Sequence, residues 1–395
     1  MIVKVRDFGM SIVVLDKCIG YDMDHIKHFI KTSFETLNIV ELLQNKELNV
    51  YLKVNGLAPF PKEKAITTHP VFVQAVIQVL KSFGIKNITV GDNPAVRDMI
   101  SVFKKCGIYD VCMSEGVRLS DNSALCQVTN PDGVLYKDFE VSAEMMEADL
   151  LINLPKLKTH SFAYLTCAQK NLFGTIYGLS KASWHVKAAD PMSFGEAMND
   201  LYGAILHTFR FKTILHLCDG ILALEGDGPS TGGHPKQFGA VLASLDAVAL
   251  DRVALEIAKL NPSESFINLI GGYREYGVFQ LDNINILGNN TDDFEPLFLE
   301  PATKTIPALS LLKIQAIKNM TLEYPVINAN LCIKCGECAK ICPPQTMKFR
   351  KNEFPTLDSN KCIRCWCCQE VCPQNAIFKS KRPLLGYLIL RNRKS

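Results

Sequence analysis

The stretch "ADLLINLPKLKTH", Ala148 to His160, decides the fold of most of the chain. Its first half reads as a short buried strand. Its second half sets Lys156, Lys158 and His160 on alternate residues, with no acidic partner nearby in sequence. Three cationic or protonatable groups just past a buried strand suit an anionic group, a carboxylate or a phosphate. Outward from here, strand-like and helix-like segments alternate over residues 1–310. That alternation predicts an α/β fold: a large open, mostly parallel sheet with helices on both faces.

The strands are "SIVVLD", "LNVYLKVN", "NITVGD", "ADLLINL", "KTILHLCDG" and the first part of "FGAVLASLDAVALDRVALEIAKL", with "DNINILG" closing the sheet. "HPVFVQAVIQVLKSFG" is a mostly buried helix, with Pro70 in its first turn and Gly84 at its stop. "SFGEAMNDLYGAILHTF" is a second helix, read as opening on a Ser193-to-Glu196 capping box.

Polar residues recur just past the strand ends. They are Lys53 and Asn55, then Asp92 and Asn93, then the Lys156–His160 group. Asp219 with Glu225 and Asp227, and Ser244 with Asp246, follow later strands. In open α/β sheets the carboxyl ends of the strands meet at one crevice, where ligands bind. "AQKNLFG" adds Lys170 and Asn171. The candidate catalytic groups are therefore Lys156, Lys158 and His160. The candidate substrate-binding groups are Lys53, Asn55, Asp92, Asn93, Lys170, Asn171, Asp219, Glu225 and Asp246. Asp246 serves equally well as a helix N-cap. His69 belongs to a helix start, and His185 beside Trp184 is either a lid residue or a loop contact. "EGDGPSTGG" is a loop; Pro229 and Pro235 discourage the helix that a dinucleotide site needs.

The other end of the chain carries a different signature. Cys332, Cys335, Cys338 and Cys342 precede Pro343; Cys362, Cys365, Cys368 and Cys372 precede Pro373. Both runs read CxxCxxCxxxCP. A tight CxxCxxC loop supplies three thiolates to an iron–sulfur cubane, and the fourth crosses from the other run. The assignment is Cys332, Cys335, Cys338 and Cys372 to one [4Fe–4S] cluster, and Cys362, Cys365, Cys368 and Cys342 to the second. Cys367 is left over. A zinc ribbon would waste half of these cysteines.

Residues 323–380 resemble bacterial-type ferredoxins, which implies two short βαβ-like halves around two [4Fe–4S] clusters. Residues 311–322 read as a linker and 381–395 as a tail, whose apolar part Pro383–Leu390 is expected to pack on the protein. The large part resembles the domain of unknown function numbered 362, through "KVNGLAPFPKEKAITTHPVFVQAVIQVLKSFG", "VGDNP", "ADLLINLPKLKTHSFAYLTCAQKNLFG" and "DGILALEGDGPSTG", over residues 48–260. That resemblance implies a shared function on those loops but supplies no reaction. Fusion to a ferredoxin module is typical of anaerobic lifestyles.

Composition narrows the function classes. The 395 residues are 48% hydrophobic and 21% charged, ordinary for a globular protein. A net charge of +3 argues against nucleic acid. Residues 321–395 hold 13 Lys and Arg against 5 Asp and Glu, which offsets the negative charge of two clusters. No apolar run approaches the ~18 residues of a membrane span. "MSIVVL" is too short for a secretory signal. Fifteen cysteines without such a signal point to a reducing compartment, the cytoplasm. Cys167 and Cys218 adjoin the crevice, and their role stays open, as does that of Cys367.

Together these features predict an iron–sulfur oxidoreductase. It would pass low-potential electrons from an external protein to a small anionic substrate or a further cofactor in the crevice. The alternatives are a non-catalytic carrier or complex subunit, and a reductive activator of another protein's cofactor.

Overall fold

A computed structural model of the chain describes residues 9–94, 98–176, 184, 188, 190–295, 297–302, 315–381 and 383–384. His185 and the apolar tail from 385 to 390 lie outside the described residues. The strands of the large part are β1 (Ser11–Lys17), β2 (Asn49–Val54), β3 (Asn87–Gly91), β4 (Arg118–Leu119), β5 (Leu125–Thr129), β6 (Asp138–Ser142), β7 (Leu150–Leu154), β8 (Lys156–His160), β9 (Tyr164–Thr166), β10 (Thr213–Gly226), β11 (Gly233–Ser244) and β12 (Ile284–Gly288). Ten of them form one sheet in the order β12-β1-β11-β10-β7-β2-β3-β4, with β8 paired to β10 and β9 to β8. Most pairings are parallel; β11 runs antiparallel to both β1 and β10. β5 and β6 form a separate hairpin.

Period-two alternation explains why the central strands read as continuous apolar runs. Leu150, Ile152 and Leu154 of β7 enter one core, with Phe72, Val76 and Leu80 of the helix Pro70–Ser82. Leu151 enters the other, with Phe194 and Leu201 of the helix Pro191–Thr208. A strand buried on both faces has no room for polar alternation. Each fully buried aliphatic side chain contributes about 1.5–3 kcal/mol. Lys53 and Asn153, at the ends of their strands, are therefore conspicuous on the second face.

The helix Pro70–Ser82 begins as its sequence predicts: the Val71 N–H donates to His69 Nδ1, and Gly84 adopts φ +85° past the end. The second helix starts earlier than expected. It spans Pro191–Thr208, and Asp190 rather than Ser193 is its cap, accepting from the Ser193 N–H at 3.0 Å. Pro191 needs no N–H in the first turn, so the sequence Asp-Pro outcompetes the internal Ser-to-Glu box.

The cysteine-rich end folds as two matched halves. β13 (Pro325–Ile327) pairs with β16 (Ile377–Lys379), and β14 (Met347–Lys348) pairs with β15 (Thr356–Leu357). Each half holds a ligand loop and a four-residue helix, Glu337–Lys340 and Cys367–Glu370. The repeat extends to the backbone. Lys334 and Arg364, Gly336 and Trp366, and Gln345 and Asn375 take positive φ at equivalent positions. A further helix, Gln315–Thr321, precedes β13. This module seats on the turn after β10: Lys379 Nζ lies 2.7 Å from Asp227 Oδ1, and Thr231 Oγ1 lies 3.1 Å from Asn375 Oδ1. "EGDGPSTGG" is thus the end of one strand, a turn that meets the ferredoxin-like module, and the start of the next.

Candidate functional site

The carboxyl ends of β2 and β3, together with β8, face the cysteine-rich module across a cavity of about 100 Å³. From the α/β side it is lined by Lys53, Asn55, Asp92, Asn93, Lys158, His160, Lys170 and Asn171. Gly56, Thr166, Phe173 and Pro229 also contribute. From the other side come Ile341, Cys367, Glu370 and Val371. Neither module encloses the cavity alone.

The lysines differ in their partners. Lys53 Nζ lies 2.7 Å from Asp92 Oδ1 and donates to the Val54 carbonyl at 2.9 Å. Asp92 also accepts from the Gly56 N–H at 2.6 Å and the Asn93 N–H at 2.9 Å. Gly174 closes over this pair: a Cβ there would lie 2.3 Å from both Lys53 Nζ and Asp92 Oδ1, so only glycine fits. Lys156 Nζ lies 2.8 Å from Asp219 Oδ2 and donates to Tyr21 at 2.7 Å. Asp219 also accepts from the Tyr21 hydroxyl and the His69 N–H, both at 2.9 Å. Lys156 and Asp219 satisfy each other outside the cavity lining.

Lys158 has no carboxylate partner among the described residues. Its Nζ donates to Asn55 Oδ1 at 2.5 Å and to the Ile66 carbonyl at 2.8 Å. A relay of amides fixes Asn55. Its Nδ2 donates to Asn171 Oδ1 at 2.9 Å, Asn171 Nδ2 to Asn153 Oδ1 at 2.8 Å, and Asn153 Nδ2 to the Ala168 carbonyl at 2.9 Å. Each amide nitrogen thus meets an oxygen, which turns the Asn55 oxygen toward Lys158. Burial holds the Lys158 ammonium well below the usual lysine range, and the nearby Lys170 adds to the effect. Lys170 sits over the Phe173 ring at 4.7 Å and the Phe194 ring at 5.6 Å. Burial lowers its pKa to about 8, against the pull of Glu370.

His160 has a defined tautomer when neutral. The Phe162 and Ala163 N–H groups donate to its Nδ1 at 3.0 and 3.2 Å, which leaves the proton on Nε2. Nε2 faces Glu370 Oε1 at 3.9 Å. Burial pushes the Glu370 carboxyl up, opposed by Lys170 and Lys158.

Two further candidates, like Lys156 and Asp219, lie outside the cavity lining. Glu225 pairs with Lys236 at 2.9 Å and accepts the Glu300 N–H. Asp246 caps the helix Ala247–Ile257 and accepts from Ser11 and the Val278 N–H. Glu370, Ile341 and Val371 were not anticipated. The available signal was an acidic residue inside an otherwise basic ligand segment.

The eight repeat cysteines suit two cubanes. Cys332, Cys335, Cys338 and Cys372 line one cavity. Burial pushes the Cys362 thiol up to about 11, and Cys365 and Cys342, the crossing residue, lie near enough to add to it. Among the described residues no three His, Cys, Asp or Glu side chains gather tightly enough for a single ion. Thiolates at the corners of a cubane stand wider apart. Cys167 and Cys218 place their sulfurs 3.4 Å apart, fully buried.

Fold and site together define an α/β protein fused to a ferredoxin-type module, with a cavity between them. The family comparisons agree. The family model "Domain of unknown function (DUF362)" matches residues 50–256, about half of the chain, and the protein belongs to that family. A "4Fe-4S dicluster domain" matches residues 331–376, and the protein carries two [4Fe–4S] clusters there. Its cysteine-rich end is therefore an iron–sulfur electron-transfer module. The chain is 34% identical over 215 residues to the thylakoid-associated protein sll1697 of Synechocystis sp.. That match covers 54% of this chain and 64% of the relative's length. Two solved structures are more distantly similar. The lactate racemase apoprotein from Thermoanaerobacterium thermosaccharolyticum has 14% identity and TM-score 0.39, over 65% of this chain and 59% of its own. A protein from Thermotoga maritima has 11% identity and TM-score 0.36, over 59% and 57%. Among the described residues no helix is long and apolar enough to cross a membrane.

Proposed function

We propose that the protein is an oxidoreductase that delivers low-potential electrons to a small anionic substrate in the cavity between its two modules. The observation that carries this reading is the shared wall. Cys367 and Glu370, next to the ligand Cys368, line the same cavity as Lys158, His160 and Lys170. The clusters supply electrons singly, at low potential. The chain's own residues do the rest. Lys170 gives the anion a positive partner, and the Asn55–Asn171–Asn153 relay keeps the wall rigid. His160 Nε2 and Glu370 are the protonatable groups at hand for a reduced product. Lys156, held by Asp219, braces the strand that presents Lys158 and His160. Asn93 and the Lys53–Asp92 pair form the far wall. An external electron-donor or acceptor protein completes the cycle. In this reading the protein works in a reducing compartment, the cytoplasm, which suits its fifteen cysteines.

One observation favours a second reading, a carrier or a reductive activator of another protein's cofactor. Lys53 and Lys156 are already neutralised by Asp92 and Asp219. A stopped-flow experiment separates the readings. Clusters reduced anaerobically are mixed with a panel of small carboxylates and phosphates, and their reoxidation is followed. Catalysis predicts that at least one anion speeds reoxidation, and that Lys170→Met slows it about tenfold with iron content and cluster spectra unchanged. Rates that ignore both the anion and the substitution reject the enzyme in favour of the carrier.

A further inference from the structure

We propose that Lys158 is a nucleophile that forms an imine with the carbonyl carbon of a 2-oxo acid, whose carboxylate is held by Lys170. This rests on the anion site described above and names its substrate class.

The argument begins from valence. A neutral primary amine has two N–H bonds and one lone pair; an ammonium has three N–H bonds and a charge. Lys158 Nζ has two acceptors, the Asn55 oxygen at 2.5 Å and the Ile66 carbonyl at 2.8 Å, and both are uncharged. The pattern fits an amine with both hydrogens spent and the lone pair left over. Lys53 and Lys156, on the same sheet, each hold a carboxylate within 2.8 Å and fit ammonium ions. Of these three fully buried lysines, Lys158 alone lacks an anion among the described residues. The amide relay prevents Asn55 from rotating its NH2 group toward Nζ without breaking its bond to Asn171.

The charges around Lys158 agree. Lys170 and Lys156 disfavour its ammonium, while Glu370 and Asp92 favour it, and His160 lines the same cavity. Desolvation outweighs them all, as in the lysines that enzymes use for Schiff bases. Lys170, less strongly shifted, keeps its proton at neutral pH and can hold a carboxylate. Two lysines on one cavity in different protonation states divide the work between nucleophile and anion partner.

The step is balanced. The amine adds to the carbonyl carbon; loss of one water leaves the C=N bond, and no oxidant or reductant is consumed. Both hydrogens of the amine leave nitrogen and depart with the carbonyl oxygen as that water, and His160 Nε2, which lines the same cavity, can relay them. Lys158 is sealed from bulk solvent, which protects the imine from hydrolysis.

The test is reductive trapping of the intact holoprotein. The protein is incubated anaerobically with pyruvate and cyanoborohydride, digested, and mapped by mass spectrometry. The expected result is an adduct on Lys158, with Lys53 and Lys156 unmodified. Acetate, a carboxylate without a ketone group, should compete with labelling and leave no adduct. Lys158→Arg should reduce the adduct to background, and Lys170→Met should raise the pyruvate concentration needed. Labelling of Lys158 no stronger than that of exposed surface lysines overturns the proposal, and needs only the wild-type protein. Calorimetry with pyruvate alone distinguishes the two failures. Binding without an adduct removes the imine and leaves the anion site standing. An absence of binding by pyruvate and by every anion tried removes both.

Discussion

The pH dependence of anion binding is a direct consequence of how Lys170 is buried. Its ammonium lies over Phe173 and Phe194, and its pKa falls to about 8. The groups that face it are Glu370, Cys367, Lys53 and Asp92, with desolvation the largest cause. A bound anion favours the protonated form, so binding couples to proton uptake once the pH exceeds about 8. About nine-tenths of Lys170 is charged at about pH 7, and about one-tenth at about pH 9, given one decade per pH unit. Affinity for a carboxylate should therefore fall about tenfold over that interval, or about 1.4 kcal/mol. Calorimetry at fixed ionic strength, repeated in two buffers of different ionisation enthalpy, reads both the affinity and the proton uptake. Lys170→Met should bind more weakly at about pH 7 and lose the slope above about pH 8. A wild-type slope that survives in Lys170→Met would refute the reasoning, because another group would then carry the titration.

Three further outcomes follow from other contacts. Asp92→Asn leaves the Lys53 ammonium buried without its counter-ion and should cost about 3–5 kcal/mol of stability. Lys53→Met combined with Asp92→Leu should recover most of that, read as anaerobic denaturant midpoints. His69 has its pKa lowered by burial from 6.5 to about 4, so the folded protein keeps it neutral where the unfolded chain takes up a proton. Its contribution is complete above pH 6.5 and is lost as pH falls toward 4. The urea midpoint should drop over that window, and less steeply in His69→Gln. Cys367→Ala should retain the full iron content of two clusters, whereas Cys368→Ala should lose iron, as measured by colorimetric iron assay.

Much of the fold could be read because the signals were local. The apolar run Leu150–Leu154 had to be a strand buried on both faces, and His69-Pro70 with Gly84 bracketed a helix. The paired cysteine runs fixed the cofactors through valence alone. The site was only partly legible, because partnership is a tertiary property. Lys156, Lys158 and His160 alternate identically in sequence. The residues that distinguish them, Asp219, Asn55 and Glu370, lie tens to hundreds of positions away. "KLKTH" is itself strand β8, although in sequence it stands just past a buried strand; β10 is long enough to pair with β7 and then with β8. Asp246 followed the same strand-end rule as Asp92, yet its carboxylate caps a helix, and no local feature separates the two roles.

The charge balance of the cavity explains why the two modules belong together. The α/β side contributes Lys53, Lys158, Lys170 and His160 against a single carboxylate, Asp92, which Lys53 already occupies. The carboxylate that faces the remaining three is Glu370, on the helix that carries the ligand Cys368. Removing the ferredoxin-like module would open the cavity to water and strip it of that counter-charge at once. Docking, anchored by Lys379 on Asp227, thus completes the site electrostatically as well as sterically. Asp227→Asn should loosen this seat, and amide hydrogen exchange around Lys158 and Lys170 should quicken while exchange in the helix Pro70–Ser82 stays unchanged. Equal exchange at both places would mean that the cavity wall is stable without its partner, and the two modules would then be only tethered.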